Sequence, residues 1–574
     1  METQPTQPLP NLLATDPLEA APLAADPFAG NFALCLSGGG YRAAAFHLGV
    51  LDVLTRLGLA DRIRTLSTIS GGTIVGAAYA LSRTRDEPFG AFYYGFYEAL
   101  RTRNVVAEAF DRLHEVPAAP GQGEHRGHPA PSLIRAAATV YADDNFVGDA
   151  TLGDLAGSPK TPDELIFSAT EFRGGRAFRF QTSRRAPGHV GSSGDLRIPD
   201  PLWRQIRLAD VVAASSCFPI AFEPILFPDD FAWTEPLPAV RGALGDGYRS
   251  LLPLMDGGVY DNQGVDGVTT AYRRSGIELG WLLVSDSSPE RGSEAFYTPQ
   301  TEAEESGGLP LKAVPRLAAA LLVVAALSLG SLGVDLVREV QARGIAWGHD
   351  LLVYGVPIAL ALVAALLVVL AGLKARDLMR YARDETGVDP WPTLREVSIR
   401  DLVHLVRSRL GSFTALTANV FMKRIRGLIQ AVLSQGEGYK DRVAFNLIYD
   451  LGRNRPTLYG DHPELEPTAA LVALARRSNA LGTTLWFDRE DDLRDLVACG
   501  QATACFTILE FLAETYGYGP SPSDRASSDA DEEHAEAKRV LAEAGPLWAR
   551  LKEDPVALLR ERGEGRGPAK PIDR

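Results

Sequence analysis

Residues 32–54 read FALCLSGGGYRAAAFHLGVLDVL, and this stretch decides the fold. The five apolar residues at 32–36 predict a short buried strand that ends at a run of three glycines. Over residues 43–57 leucine and valine recur at helical spacing, which predicts a helix. A second strand at 65–69 and a second helix at 73–81 follow. This alternation predicts an α/β fold with a mainly parallel sheet and helices on both faces.

The glycine run consists of Gly38, Gly39 and Gly40, which offer bare backbone amides at the start of a helix. Such amides, together with the helix dipole, favour an anion and suit the oxyanion of an acyl-transfer intermediate. Arg42 adds a positive charge nearby. A nucleotide site is the main rival. However, the run matches no G-x-x-x-x-G-K-[ST] pattern, and Ala43 stands where G-x-G-x-x-G needs its last glycine.

Ser70 lies between the second strand and its helix, in the sequence TISGG at 68–72. A serine on such a turn can present its hydroxyl to a substrate, as in a nucleophile elbow, but a helix N-cap serine fits this segment equally well. Asp256 begins the sequence DGG after an apolar approach and can present a carboxylate at a strand end. By itself, a plain turn aspartate is the simpler interpretation. Both segments on one α/β pattern favour a serine nucleophile with an aspartate base.

The nine histidines of the chain are scattered, and none has the sequence setting of the Ser–Asp–His order of α/β-hydrolases. His47 lies in the helix after the glycine run. A dyad in which Asp256 takes the Ser70 proton directly needs fewer assumptions. Because a carboxylate is a weak base, we expect apolar neighbours to desolvate Asp256 and raise its pKa.

Four ordered motifs resemble the patatin-like phospholipase family: SGGGYR at 37–42, TISGG at 68–72, AASSCFPIAFEP at 213–224 and DGG at 256–258. The resemblance covers roughly residues 31–290. It implies a three-layer α/β/α acyl hydrolase that acts on phospholipids, lysophospholipids or acylglycerols.

The resemblance also assigns roles to residues. It implies Ser70 as the nucleophile, Asp256 as the base and Gly38 to Gly40 around the oxyanion. The chain departs from the family pattern at Ala43, where the first motif usually has its last glycine, and at Thr68, where the elbow usually begins with glycine. Both departures affect close-packed turns, and neither removes a reacting group.

Two apolar segments lie outside these motifs, at 317–334 and 351–373, and neither contains a charged residue. Because about twenty apolar residues span a bilayer, the pair predicts a transmembrane helical hairpin within residues 311–380. Basic residues flank the pair on both sides, which predicts that both flanks and the catalytic domain lie on the cytoplasmic side. A buried hairpin in a soluble core is the alternative.

Charge and cysteine content limit the partners. The formal net charge of −14 argues against nucleic acid as the main partner and gives no general attraction to anionic lipid. The chemistry of the dyad needs no metal or organic cofactor, and the sequence leaves the oligomeric state open.

Four cysteines lack metal-ligand spacing and predict buried thiols in a reducing compartment: Cys35, Cys217, Cys499 and Cys505.

We therefore expect five regions in the chain: a disordered tail at 1–30, an acyl hydrolase domain at 31–300, the hairpin at 311–380, a helical region at 390–515 that completes or caps the catalytic domain, and a polar peripheral tail at 516–574. The predicted function is that of a membrane-anchored serine acyl hydrolase that cleaves lipid esters in the cytoplasmic or inner membrane. The alternatives are a catalytically silent membrane scaffold on the same fold and a protein-directed acyl transferase or peptidase.

Overall fold

The fold is described from a computed structural model of the chain. It describes residues 26–114, 132–185, 189–192, 197–219, 221–245, 251–290, 310–344, 351–386, 422–436, 441–517 and 534–562, and a few single positions between 395 and 439. The chain forms two compact units. The first unit consists of Met1–Glu294 together with Val420–Arg574, and the second unit consists of Ala295–Asn419.

One mixed sheet organises the first unit. Its strands are β1 (Phe32–Leu36), β2 (Ile63–Ile69), β3 (Glu164–Glu171), β4 (Arg176–Ser183), β5 (His189–Ser192), β6 (Ile225–Phe227), β7 (Leu252–Asp256), β8 (Trp281–Asp286) and β9 (Val443–Leu447). In the order β3-β2-β1-β8-β9, five neighbouring strands run parallel, which confirms the expected parallel sheet in its central part. On the β3 side, strands β4 to β7 pair antiparallel.

Helices surround this sheet and also form the second unit. They are α1 (Gly40–Arg56), α2 (Gly71–Thr84), α3 (Phe89–Thr102), α4 (Val105–Asp111), α5 (Leu133–Tyr141), α6 (Leu152–Leu155), α7 (Leu208–Ser215), α8 (Leu237–Leu244), α9 (Gly258–Asp261), α10 (Val265–Ser275), α11 (Ala313–Arg343), α12 (Val356–Thr386), α13 (Met422–Gln435), α14 (Pro456–Asp461), α15 (Ala469–Ala480), α16 (Glu490–Tyr516), α17 (Ala535–Glu553) and α18 (Ala557–Glu561). A short π-helical turn, Leu351–Gly355, precedes α12.

Successive side chains of β1 and β8 pack alternately into two separate hydrophobic cores, one on each face of the sheet. On one face, Ala33 and Cys35 of β1 and Leu282 and Val284 of β8 pack with residues of α10 and α13. On the other face, Leu34 belongs to the main core with α1 and α16. Because successive strand residues point to opposite faces, the sheet has helices on both sides and the expected three-layer architecture is confirmed.

Two long helices, α1 and α16, cross closely in the main core. A Cβ atom on Gly49 of α1 would lie 2.1 Å from the carbonyl oxygen of Val497. On Gly500 of α16 it would lie 1.9 Å from the carbonyl oxygen of Phe46. Each glycine therefore removes the side chain that would keep the two backbones apart.

The C-terminal residues belong to the first unit rather than to a peripheral tail. β9 pairs in parallel with β8 and so extends the sheet. α17 buries one face against this unit, and Trp548 is 2% exposed with its Nε1 donating to the carbonyl oxygen of Glu464 at 3.1 Å. The prediction of a peripheral tail at 516–574 is thus wrong for residues 534–562, because the charged surface of α17 conceals an apolar face at helical spacing.

The described end of the N-terminal tail is also ordered. Phe28 is buried, and its ring lies 4.8 Å from that of Trp281. Asp26 Oδ2 accepts hydrogen bonds from the backbone N–H groups of Glu536 and Ala537 at the start of α17. The prediction of disorder up to residue 30 is therefore wrong for residues 26–30, and residues 1–25 lie outside the described part of the chain.

The second unit contains α11, which includes the predicted span 317–334, and α12, which together with the π-helical turn before it includes the predicted span 351–373. Each has 31 residues, and a rise of about 1.5 Å per residue makes it long enough to cross a bilayer. Their apolar windows are not buried within the protein. Among the described helices α16 is also long and apolar enough, but its window is entirely buried in the first unit.

Candidate active site

Strand register brings Ser70 and Asp256 together. β2 runs parallel to β3 until Ile69 lies opposite Ser168. The next residue of β3, Ala169, pairs with Asp256, the last residue of the antiparallel strand β7. The C-terminal ends of β2 and β7, which run in opposite directions, therefore meet beside β3. There the Ser70 Oγ donates a hydrogen bond to Asp256 Oδ2 at 2.6 Å.

The backbone of Ser70 has the strain expected of a nucleophile elbow. Its φ of 50° and ψ of −119° lie outside the regions that residues with a side chain usually adopt. Ser70 precedes α2, and it makes no side-chain cap to that helix. The N-cap interpretation of its hydroxyl is therefore wrong, because the Oγ is directed at Asp256 instead.

Ser215 holds the strained turn in place. Its Oγ accepts a hydrogen bond from the backbone N–H of Ser70 at 3.0 Å and donates one to the carbonyl oxygen of Ser168 at 2.7 Å. The Thr73 Oγ1 lies 2.8 Å from Ser215 Oγ. Sequence reasoning placed Ser215 in the motif at 213–224 but gave it no role, and its position in that motif was the only signal.

Asp256 is buried, with 3% of its surface exposed. Its Oδ1 accepts a hydrogen bond from the backbone N–H of Gly258 at 2.7 Å, and its own N–H donates to the carbonyl oxygen of Cys217 at 2.9 Å. Burial raises the pKa of Asp256 to about 6, against the smaller lowering effect of the hydrogen bonds from Ser70 and Gly258. The expected rise in pKa by desolvation is confirmed.

The glycine loop, residues 37–40, lies beside this pair. A Cβ atom on Gly38 would lie 3.1 Å from the Cβ of Ser70. The backbone N–H of Gly38 donates to the carbonyl oxygen of Asn262 at 3.0 Å, so this amide is engaged. In the part of the chain that the structure describes, no hydrogen bond occupies the amides of Gly39 and Gly40. The oxyanion site predicted from the sequence comprises these three glycine amides and Arg42, and of the three amides those of Gly39 and Gly40 are open.

Arg42 lies behind the loop and is buried. Its Nη1 donates to the carbonyl oxygen of Leu481 at 2.8 Å, and its Nη2 lies 3.5 Å from the position of a Cβ atom on Gly39. The backbone N–H of Tyr41 donates to the carbonyl oxygen of Thr484 at 2.8 Å. Arg42 thus places a positive charge near the loop. It also binds the segment that precedes α16, through the carbonyl oxygen of Leu481.

His47 is buried and has partners on both ring nitrogens. Its Nδ1 lies 3.0 Å from Ser285 Oγ, and its Nε2 lies 3.1 Å from the carbonyl oxygen of Ser37. Burial lowers the pKa of His47 to about 4, so the ring is neutral at physiological pH. These contacts give His47 a role in holding the glycine loop rather than in proton transfer.

The four cysteines are buried and form no disulfide bond with one another, as expected.

Comparison with known proteins identifies the family of this region. Residues 34–269 match the family model described as patatin-like phospholipase, and this range contains the glycine loop, Ser70, Ser215 and Asp256. No curated protein matches the chain.

Solved structures of human GIVD cytosolic phospholipase A2 resemble the chain. The enzyme alone is 15% identical, with 46% of this chain and 46% of that chain covered and a TM-score of 0.31. Its complex with methyl γ-linolenyl fluorophosphonate is 18% identical, with 46% and 41% covered and a TM-score of 0.30. Its complex with this inhibitor and terbium chloride is 17% identical, with the same coverage and a TM-score of 0.28.

This chain covers less than half the length of each of those structures. The family match is the finding that bears on the site, because it includes all of the motifs from the glycine loop to Asp256. The chain therefore carries, over residues 34–269, a domain of the patatin-like phospholipase family, a family of lipid ester hydrolases.

Proposed function

We propose that the protein is a membrane-anchored serine acyl hydrolase that cleaves lipid esters through a dyad of Ser70 and Asp256. The observation that carries this proposal is the 2.6 Å hydrogen bond from the Ser70 hydroxyl to the buried carboxylate of Asp256. The strained backbone of Ser70 and the open amides of the glycine loop support it. Such strain is typical of functional sites.

In the proposed first half-reaction, Ser70 Oγ attacks the ester carbonyl carbon and Asp256 takes the hydroxyl proton. The negative charge that develops on the carbonyl oxygen is stabilised by the amides of Gly39 and Gly40. A single donor of this kind typically lowers the barrier by about 2.7–4 kcal/mol. The proton then passes from Asp256 to the oxygen of the leaving alcohol, and an acyl ester on Ser70 remains.

In the second half-reaction, Asp256 takes a proton from a water molecule, which attacks the acyl ester. The same amides stabilise the second tetrahedral intermediate. The proton returns to Ser70 Oγ as the carboxylic acid leaves. A pKa near 6 makes Asp256 a stronger base than an ordinary carboxylate, while keeping it ionised at neutral pH.

The proposed substrates are phospholipids, lysophospholipids or acylglycerols, as the family implies. We propose that α11 and α12 span the membrane, which their exposed apolar side chains and their length support. The basic flanks of the pair favour a cytoplasmic catalytic domain. A covalent anchor of this kind raises the effective concentration of lipid at the attached domain.

The decisive experiment compares Ser70→Ala and Asp256→Asn with the wild type on a short-chain p-nitrophenyl ester. Ser70→Ala should reduce hydrolysis to background, and Asp256→Asn should reduce kcat by about 10²–10⁴-fold. A fluorophosphonate should label the wild type and not Ser70→Ala. Ser82→Ala, at the other end of α2, is the matched control and should keep wild-type kcat.

Each alternative function has its own result in this experiment. A wild type that neither hydrolyses the ester nor reacts with the fluorophosphonate is a silent scaffold. A wild type that transfers an acyl group to peptides but releases no fatty acid from mixed lipid vesicles is a protein-directed acyl transferase. Retained hydrolysis by Asp256→Asn would contradict the dyad.

A further inference from the structure

Residues 286–289, which we call the shelf, begin at the last residue of β8 and support the glycine loop. The backbone N–H of Ser287 donates to Ser37 Oγ at 2.9 Å. The Ser287 Oγ donates to the carbonyl oxygen of Gly38 at 3.1 Å. Asn262 links the same two segments, because its Nδ2 donates to Ser288 Oγ at 3.0 Å and its carbonyl oxygen accepts from Gly38. The shelf therefore binds the carbonyl of Gly38, and Asn262 binds its N–H.

The bond to the Gly38 carbonyl matters for the proposed oxyanion site. A peptide unit is planar and trans, so the carbonyl oxygen of Gly38 and the N–H of Gly39 point in opposite directions. Fixing this oxygen on the shelf fixes the direction of the Gly39 amide, which points away from the shelf. A Cβ atom on Gly39 would lie 2.8 Å from Ser287 Oγ, so the loop lies directly on the shelf.

The carboxylate of Asp286 fixes the conformation of the shelf. Its Oδ1 accepts a hydrogen bond from the backbone N–H of Ser288 at 2.9 Å, and its Oδ2 accepts one from Gln263 Nε2 at 2.9 Å. Asp286 is 1% exposed. A carboxylate removed from water to this degree is costly unless an opposite charge lies close to it.

Arg426 of α13 supplies that opposite charge. It is 4% exposed, and its Nε lies 3.7 Å from Asp286 Oδ2. Its Nη2 donates to the carbonyl oxygen of Pro289 at 3.2 Å. Arg426 thus contacts the shelf at both ends. It comes from the part of the chain that follows the second unit and that the family match at 34–269 does not include.

We propose that Arg426 is a positioning residue for acyl hydrolysis: by pairing with Asp286 and binding Pro289 it fixes the shelf, and the shelf aims the Gly39 amide at the oxyanion. This inference rests on the proposed function. It assigns the part of the chain after the hairpin a direct influence on the rate of the chemical step. The chain must therefore be complete up to α13 before its serine reaches full activity.

The test uses four variants of the full chain and a soluble short-chain ester, with active serines counted by fluorophosphonate titration. Arg426→Met removes the charge at similar length and should lower kcat per titrated site about 10- to 100-fold with KM unchanged, because an oxyanion donor acts mainly in the transition state. Arg426→Lys keeps the positive charge but loses the planar guanidinium group with its several N–H donors, and it should have an intermediate kcat. Arg424→Met, an exposed arginine on the same helix, should have wild-type kcat.

The fourth variant separates positioning from folding. Arg426→Met combined with Asp286→Asn removes both buried charges, so it should fold better than Arg426→Met alone and recover part of kcat. Wild-type kcat per titrated site in Arg426→Met would show that Arg426 serves stability only and would overturn the proposal. A wild type with no esterase activity would instead defeat the proposed function.

Discussion

Ser70 and Asp256 are both held in states that cost free energy. The backbone of Ser70 has a positive φ, and such strain costs on the order of 1–3 kcal/mol. Burial raises the pKa of Asp256 from 3.8 to about 6. At about 1.4 kcal/mol per pKa unit, keeping this carboxylate ionised in the folded protein costs roughly 3 kcal/mol above pH 7. If the proposed dyad is the active site, it trades stability for reactivity, as enzymes commonly do.

This cost leads to a prediction for Asp256→Asn. The folded-state pKa of Asp256 lies above the unfolded value, so the folded wild type binds more protons between about pH 4 and 6. Its stabilising contribution is present below pH 4 and is lost as the pH rises through 6. Relative to the wild type, Asp256→Asn should gain up to about 3 kcal/mol in unfolding free energy at pH 8 and only about 1 kcal/mol at pH 4.5. Urea unfolding at both pH values measures the difference.

Activity should depend on the same proton, since only the ionised carboxylate can act as the base. We expect kcat/KM of the wild type to fall about tenfold per pH unit below an apparent pKa near 6. Asp261 is the matched control, because burial also raises its pKa to about 6 and its carboxylate accepts backbone hydrogen bonds from Gln263 and Asp266. Asp261→Asn should change stability in the same direction and leave the acid limb of activity in place. Loss of this limb in Asp261→Asn would contradict the assignment to Asp256.

The sequence predicted that Ser70 and Asp256 lie together in the proposed site, but it could not predict which residues support them, for a physical reason. Glycines and small residues next to a serine or an aspartate are local signals, and they mark turns that must be tightly packed. Ser215 and Arg426 act through contacts with distant parts of the chain, and no local pattern distinguishes them from other serines and arginines. The engaged amide of Gly38 could not be predicted either, because its partner is a backbone carbonyl at Asn262.

The first turn of α2 fits against the glycine loop because Gly71 has no side chain. A Cβ atom there would lie 2.0 Å from the carbonyl oxygen of Gly40 and 2.7 Å from its nitrogen. Both are backbone atoms, so they cannot move aside without displacing a proposed oxyanion donor. We expect Gly71→Ala to lower kcat for a short-chain ester by about 10²–10³-fold, the usual effect of losing one such donor.

Gly95→Ala on α3 is the control for this substitution. Nothing lies within 4 Å of a Cβ atom at Gly95, and an alanine there should stabilise the helix by up to about 1 kcal/mol without changing kcat. Steady-state kinetics per titrated serine compares the two variants. Wild-type kcat in Gly71→Ala would mean that the loop tolerates displacement and that its amides are not the oxyanion donors.

Elements with a regular local pattern were predictable, and those defined by long-range pairing were not. β1, α1, β2 and α2 follow directly from apolar runs and helical periodicity. By contrast, β9 is a strand of five residues that pairs with β8, although the residues of the second unit separate the two strands in sequence. α16 is buried on all sides, so it lacks the amphipathic period by which surface helices are recognised. These two elements decide that the C-terminal residues complete the sheet.

For the whole molecule, composition alone cannot separate a membrane helix from a core helix. α11, α12 and α16 all have the length and apolarity to cross a membrane. Only α16 is covered by protein, whereas large side chains such as Leu327 and Leu360 are 70% and 65% exposed. Exposed apolar surface costs about 25 cal/mol per Å² in water, which favours a bilayer around α11 and α12.

This difference predicts how the protein distributes between membrane and solution. Replacing residues 311–386 with a Gly/Ser linker removes both exposed helices and leaves the first unit with its own cores. We expect this variant to appear in the soluble fraction after alkaline carbonate extraction and to keep wild-type kcat for a short-chain ester. Its hydrolysis of phospholipid vesicles should fall at least about tenfold, because it loses the effective concentration that an anchor provides.

A matched control scrambles residues 317–334 and 351–373 at constant composition and should stay in the membrane fraction with wild-type vesicle hydrolysis. A linker variant that remained in the membrane fraction would locate the anchor elsewhere in the chain.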